Sequence, residues 1–148
     1  MIRLLLIIML IGTQSFMQKG QAQKPADKPG QYMNGIYIPK DLDDCMDQFK
    51  RNWSDTMKVA FRKTPENQVL RKYSIVSDWL IANWGLYNDS RLVDYFNNFG
   101  LFHPEDMASI ILLCYHRDLS GEELKLGQLI RHYKDYWKLQ ERSRPDIK

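Results

Sequence analysis

From residue 36 onward, apolar side chains recur at the three- and four-residue spacing of helices packed on one face. No strand pattern is longer than the triplet Ile36-Tyr37-Ile38. Leu42, Cys45, Met46, Phe49 and Trp53 form the first stripe, on a helix from about Lys40 to Asn52. Asp41, Asp43 and Asp44 crowd its first turn and Lys50 and Arg51 its last, the signs that the helix dipole favours. Ser54 opens a short second helix to Lys63, with Met57, Ala60 and Phe61 inward. Thr64-Pro65-Glu66 reads as a cap followed by Pro at the first helical position, and starts what should be the longest helix. Val69, Tyr73, Val76, Leu80 and Trp84 mark its stripe, and Leu70, Trp79 and Ile81 widen it. An arc this wide predicts a central helix touched from several sides, ended by Gly85.

Asn88-Asp89-Ser90 opens a short helix bearing Leu92, Val93, Phe96 and Phe99 and closing at Gly100. His103 leads into Pro104-Glu105-Asp106, again Pro with acids at a first turn. The helix that follows carries Met107, Ile110, Ile111 and Cys114 and should end near Arg117. Ser120 and Glu123 have capping-box spacing, which predicts a turn or helix start there. A last helix from about Leu126 to Gln140 turns Leu129, Ile130, Tyr133 and Trp137 inward. The expected fold is all-α: a compact single domain of five to six short helices, residues 37–140, with an extended N-terminal lead-in and a disordered tail at 141–148. About a hundred residues in short helices bury a modest core of ordinary marginal stability.

The stretch before this domain has a different character. Met1-Ile2-Arg3, an unbroken apolar run over 4–11 and the small residues Gly20 and Ala22 have the anatomy of a secretory signal peptide, 1–22, cut before Gln23. The apolar run is far short of the ~20 residues a membrane span needs; an uncleaved N-terminal anchor is the other reading. Residues 23–36, with Pro25, Pro29, Gly30 and Gly35, read as a flexible linker. The expected location is therefore exported, periplasmic or secreted, with no membrane span after cleavage. Removing 1–22 takes away Arg3 and Lys19 and no acid, leaving 19 basic against 18 acidic residues. A near-neutral chain lacks the charge that drives phosphate-backbone binding, so nucleic acid is not an expected partner. Cys45 and Cys114 sit on apolar stripes, which favours two buried thiols over a disulfide, although an oxidising compartment would permit one.

His103 and Asp106 lie one turn apart with Glu105 adjacent, a set that can share a proton or open a helix. His116 is thirteen residues from His103, about 20 Å along a helix at ~1.5 Å per residue, so the two cannot share a site through that helix. No His-x-x-x-His and no Cys-x-x-Cys occurs, so neither metal nor cofactor is expected. Arg117 closes a helix, where a cation complements the dipole; Arg91 opens one, where it does not. That makes Arg91 the residue least explained locally, either paired with Asp89, Asp94 or Asp106 or open to an anionic ligand. Trp84, Tyr87 and Tyr95 read as core aromatics before a stacking surface.

In combination, several short motifs carry a resemblance: Asn83-Trp84-Gly85-Leu86; Ser90-Arg91-Leu92 with Tyr95-Phe96; His103-Pro104-Glu105-Asp106-Met107; and Tyr115-His116-Arg117. With an opening from Ile38-Pro39 to Cys45 and a close from Leu126 to Trp137, the chain resembles, over residues 37–138, a bacterial family described as a domain of unknown function, number 6794, common in Bacteroidetes. The stretch 58–79 departs most from that pattern. The resemblance implies an all-helical domain, often behind a signal peptide, with no established activity.

These readings converge on an exported helical module that binds a protein or an envelope component and is not an enzyme. Its candidate binding residues are Asn83, Trp84, Arg91, His103, Asp106, His116 and Arg117. A small hydrolase or lyase using His103 or His116 with Asp106 is the rival, and a periplasmic immunity-like inhibitor is a third possibility.

Overall fold

The computed structural model of the chain describes residues 32–142. The leader at 1–22, residues 23–31 of the linker and 143–148 of the tail lie outside the described residues. Within them the chain is mostly helical, with seven helices and one two-stranded sheet. The sheet is a hairpin, β1 (Tyr32–Met33) against β2 (Ile36–Tyr37), with Met33 opposite Ile36. It closes through Asn34 (φ 50°) and Gly35 (φ 78°), both left-handed, as the primed hairpin turn that twists with its strands requires. Order therefore extends into the stretch 23–36 that reads as linker, and Asn34-Gly35 is a turn signal.

Ile38 and Pro39 are buried and lead into α1 (Leu42–Asn52), whose N-cap Asp41 accepts from the Asp44 amide at 2.9 Å. Ser54 caps α2 (Asp55–Arg62) through the Met57 amide at 3.2 Å, and Ser90 caps α5 (Arg91–Asn97) through the Val93 amide at 3.3 Å. Thr64 does not cap the next helix. Its hydroxyl donates back to the Ala60 carbonyl at 3.0 Å, and α3 (Glu66–Lys72) begins beyond Pro65 without a side-chain cap.

The long helix expected over 65–84 is broken at Tyr73 (φ −113°, ψ 29°) into α3 and α4 (Ser74–Asn83). Tyr73, Ser74, Ile75 and Val76 are all weak helix formers, so the chain yields there at little cost. The Tyr73 ring then settles against Phe61 at 4.6 Å and Trp53 at 6.5 Å. The break removes α4 from the centre: Leu80 is its one buried residue.

The central helix is instead α6 (Pro104–Ser120), touched by α1, α2, α3, α4 and α7 (Leu126–Arg142). Nine of its residues are buried. Tyr115 stacks on Phe49 at 4.5 Å and meets Trp53 and Phe61 at 5.4 and 5.7 Å, the hub of an aromatic core. α6 runs three residues past Arg117 and stops at left-handed Gly121, while the Ser120 hydroxyl donates to the His116 carbonyl and caps nothing downstream. α7 lays half-buried Leu129, Ile130 and Tyr133 on the core and has no buried residue of its own.

Gly85 (φ 66°) ends α4, and a Cβ there would lie 3.2 Å from the Ser90 Cβ. Gly85→Ala is expected to lower unfolding free energy by about 1–2 kcal/mol, the cost of the left-handed conformation for a residue with a Cβ. Urea titration checks this, with an unchanged slope.

Candidate functional site

The seven residues singled out by sequence do not assemble into one site. Arg91 forms a clasp. Its guanidinium donates twice to the Ile38 carbonyl, from Nε at 2.9 Å and Nη2 at 2.5 Å. It also lies 4.9 Å over the Tyr37 ring and 3.9 Å from Asp44. Asp44 completes the clasp by accepting from the Tyr37 hydroxyl at 2.7 Å and the Lys40 amide at 3.0 Å. The partner is thus Asp44 on α1, not Asp89, Asp94 or Asp106. The planar fork that suits an anion here holds a carbonyl and an aromatic face.

His116 and Arg117 form a second latch. His116 is buried, and its Nε2 lies 2.8 Å from the Thr64 carbonyl. A carbonyl only accepts, so Nε2 donates to it, and Nδ1 is left buried with no hydrogen-bond partner among the described residues. Arg117 grips Glu66 with a two-pronged ion pair at 2.8 and 2.7 Å and donates to the Leu124 carbonyl at 2.8 Å. The Arg117 guanidinium, more than partial burial opposes it, holds the Glu66 carboxyl below its ordinary range.

His103 and Asp106 do meet, through Trp137. His103 stacks on the indole at 3.7 Å and 14°, and Asp106 accepts from Trp137 Nε1 at 2.7 Å. The two share a shallow pocket of about 200 Å³ with Lys134 and Lys138. No hydrogen bond joins imidazole to carboxylate among the described residues. Burial raises the Asp106 carboxyl, against the pull of the indole N–H. Both polar groups fasten α7 to α6, and this is structural work. His103 occupies the N-cap position of α6 without making a side-chain cap bond. Asn83 donates to the Trp79 carbonyl at 2.9 Å, and Trp84 is buried beside Phe49 at 5.4 Å. Cys45 and Cys114 are buried unpaired thiols, and burial pushes Cys114 up to about 12, far from thiolate reactivity.

What the sequence did not single out is a surface. The hairpin, α1 and α4 enclose an open groove of about 590 Å³. Ile36 and Tyr37 form one wall; Phe49 from α1 and Trp53 just past its end form the floor with the amides Gln48 and Asn52; Ile75, Val76 and Trp79 from α4 close it over Trp84. Ile75 is 82% exposed and Trp79 46%. No charged side chain lines it, and its one ionisable group, the Tyr37 phenol, is committed to Asp44. Such a volume matches ligand and side-chain pockets of about 300–1,000 Å³. Chemically the groove can bind and exclude water; it has no acid–base pair for a reaction.

A small, mostly helical domain with an apolar groove, and with no convergent catalytic set among the described residues, is the class that fold and surface define. The chain matches, over residues 38–119, a family described as a domain of unknown function (DUF6794), and belongs to that family. The match covers α1 to α5 and nearly all of α6; it stops short of α7, where the resemblance in the sequence had continued. No curated protein and no solved structure matches the chain.

Arg91→Ala leaves the Ile38 carbonyl unpaired. It is expected to cost about 2 kcal/mol, within the range for charged hydrogen bonds, and to speed amide exchange over residues 36–44. Unchanged exchange would show that Arg91 does not hold the lead-in. For Glu66, the folded pKa lies below the unfolded 4.5, so the pair stabilises above that value and its contribution is lost as pH falls through the folded pKa. Glu66→Gln is expected to lose about 1 kcal/mol at neutral pH, discounted because Glu66 is partly exposed. Thermal melts in acid should bring variant and parent together.

Proposed function

We propose that this protein is an exported, non-enzymatic interaction module of the bacterial cell envelope, and that its α4 groove takes uncharged apolar side chains from a protein partner. One observation carries the reading. An open, wholly uncharged apolar groove displays Ile75 and Trp79 to solvent, while the polar residues that suggested chemistry are spent on internal latches. Exposed apolar surface of this kind marks interaction sites in soluble domains. Export rests on the leader anatomy of residues 1–22. The hydrolase or lyase reading has less support, since His103 and Asp106 are joined through Trp137 and make no bond with each other.

The test has two arms. Mass analysis of the protein expressed in a bacterial host with an outer membrane should find a periplasmic chain beginning at Gln23; an unprocessed cytoplasmic chain overturns export. Affinity capture from solubilised envelopes should retain a protein on the parent chain and lose it on Ile75→Asp, with the contact reproduced from purified components. Equal recovery by both chains overturns the groove as the working surface.

A further inference from the structure

We infer that the corner formed by α2 and α3 docks on an anionic lipid headgroup layer and holds the protein peripherally on a membrane surface. This surface is separate from the groove, and the inference stands without it. Residues 55–72 carry five cations, Lys58, Arg62, Lys63, Arg71 and Lys72, against two acids, Asp55 and Glu66. Both acids are taken. Asp55 pairs with Lys58 at 3.3 Å, and Arg117 of α6 holds Glu66 at 2.8 and 2.7 Å. Arg62, Lys63, Arg71 and Lys72 are exposed, and none is ion-paired among the described residues.

The turn between the helices gathers these charges. Thr64 lies on that turn, and the Lys72 Nζ is 3.3 Å from its hydroxyl oxygen. The end of α3 is thereby drawn to the residue that follows Lys63. A helix C-terminus carries about half a negative charge, which one cation satisfies; the ends of α2 and α3 carry two cations each. Acids gather elsewhere. Asp41, Asp43 and Asp44 stand at the start of α1, about 16 Å from its far end at ~1.5 Å per residue, and α2 follows that far end. A chain near neutral as a whole thus has a cationic end and an acidic one, and an anionic surface turns the cationic end towards itself.

Shape and apolar content select lipid. Neither cavity described above is lined by any of the four cations, so they are spread over an outer surface and do not converge on a small anion in a pocket. Val59 is 42% exposed, and Arg62 and Lys63 follow it by three and four residues, which places them beside it on one face of α2. A headgroup layer offers phosphate charge with hydrocarbon beneath, and so receives both the cations and the apolar tip between them. An acidic protein face or a nucleic-acid backbone offers the charge alone.

Vesicle sedimentation of the processed chain tests the inference. Binding is expected to phosphatidylcholine vesicles containing phosphatidylglycerol at low salt, with release at high salt and no binding to phosphatidylcholine alone. A cation near such a surface contributes about fivefold in affinity. Arg62→Gln combined with Lys63→Gln should therefore weaken binding about 25-fold, with helical circular dichroism unchanged. Arg71→Gln combined with Lys72→Gln should do the same from the neighbouring helix. Arg131→Gln combined with Arg142→Gln removes equal charge from exposed positions on α7 and should leave binding nearly unchanged. A parent chain that ignores anionic vesicles overturns the proposal, as does an equal loss in all three double variants. Capture of an acidic protein or of DNA through the same cations, with no vesicle binding, also overturns it.

Discussion

α6 must be covered on every side. Eight of the ten residues from Met107 to His116 are buried, and five other helices are arranged around them. Burial of that run is the largest favourable term available to a core of this size. It also dictates what becomes of polar side chains on the same helix. His116 and Arg117 cannot leave it, and each therefore binds a group on the α2–α3 side: the Thr64 carbonyl and the Glu66 carboxylate. At the other end Asp106 takes the Trp137 indole N–H, so α7 is fixed by a polar contact where apolar cover is thin. Unpaired, each of these buried groups would cost more than its bond contributes.

A second constraint links the fold to its surface. Arg91 ties the Ile38 carbonyl and the Tyr37 ring to α5, and Asp44 ties the Tyr37 hydroxyl to α1. This clasp sets the hairpin beside α1, and the hairpin supplies Ile36 and Tyr37 to the groove wall. Arg91 thus shapes the groove wall through Tyr37 and does not itself line the groove. Its unfavourable place at the start of a helix is explained by a partner 53 residues away.

Much of the fold was legible because it is written locally. The caps at Asp41, Ser54 and Ser90, the Pro104 start and the Gly85 stop all appear where short-range hydrogen-bonding chemistry puts them. The core stripes of α1 and α6 follow from helical spacing in the same way. Two things were not local. The break at Tyr73 depends on a ring finding Trp53 and Phe61, and no stripe announces it. Without that break, the wide apolar arc around Trp79 and Ile81 reads as interior; with it, Val76 and Trp79 become the wall of a groove while Ile81 stays packed against the core. The hairpin was legible in principle, since Asn34-Gly35 is a strong turn signal, but a proline- and glycine-rich neighbourhood masked it. Clustering of His, Arg and Asp along the chain pointed to a site, yet Arg91 found its partner in the lead-in at Ile38, His116 and Arg117 at Thr64 and Glu66, and His103 and Asp106 at Trp137.

The central claim is that the apolar face of α4 is surplus to the fold and belongs to a contact. Equilibrium urea unfolding of Ile75→Asp, at concentrations where both chains are monomeric, tests it most directly. Asp is well placed in the first turn of a helix, so a truly external Ile75 predicts unfolding free energies within about 0.5 kcal/mol of each other. A loss of about 2 kcal/mol or more, the scale of a core substitution, would place α4 in the interior and contradict the account.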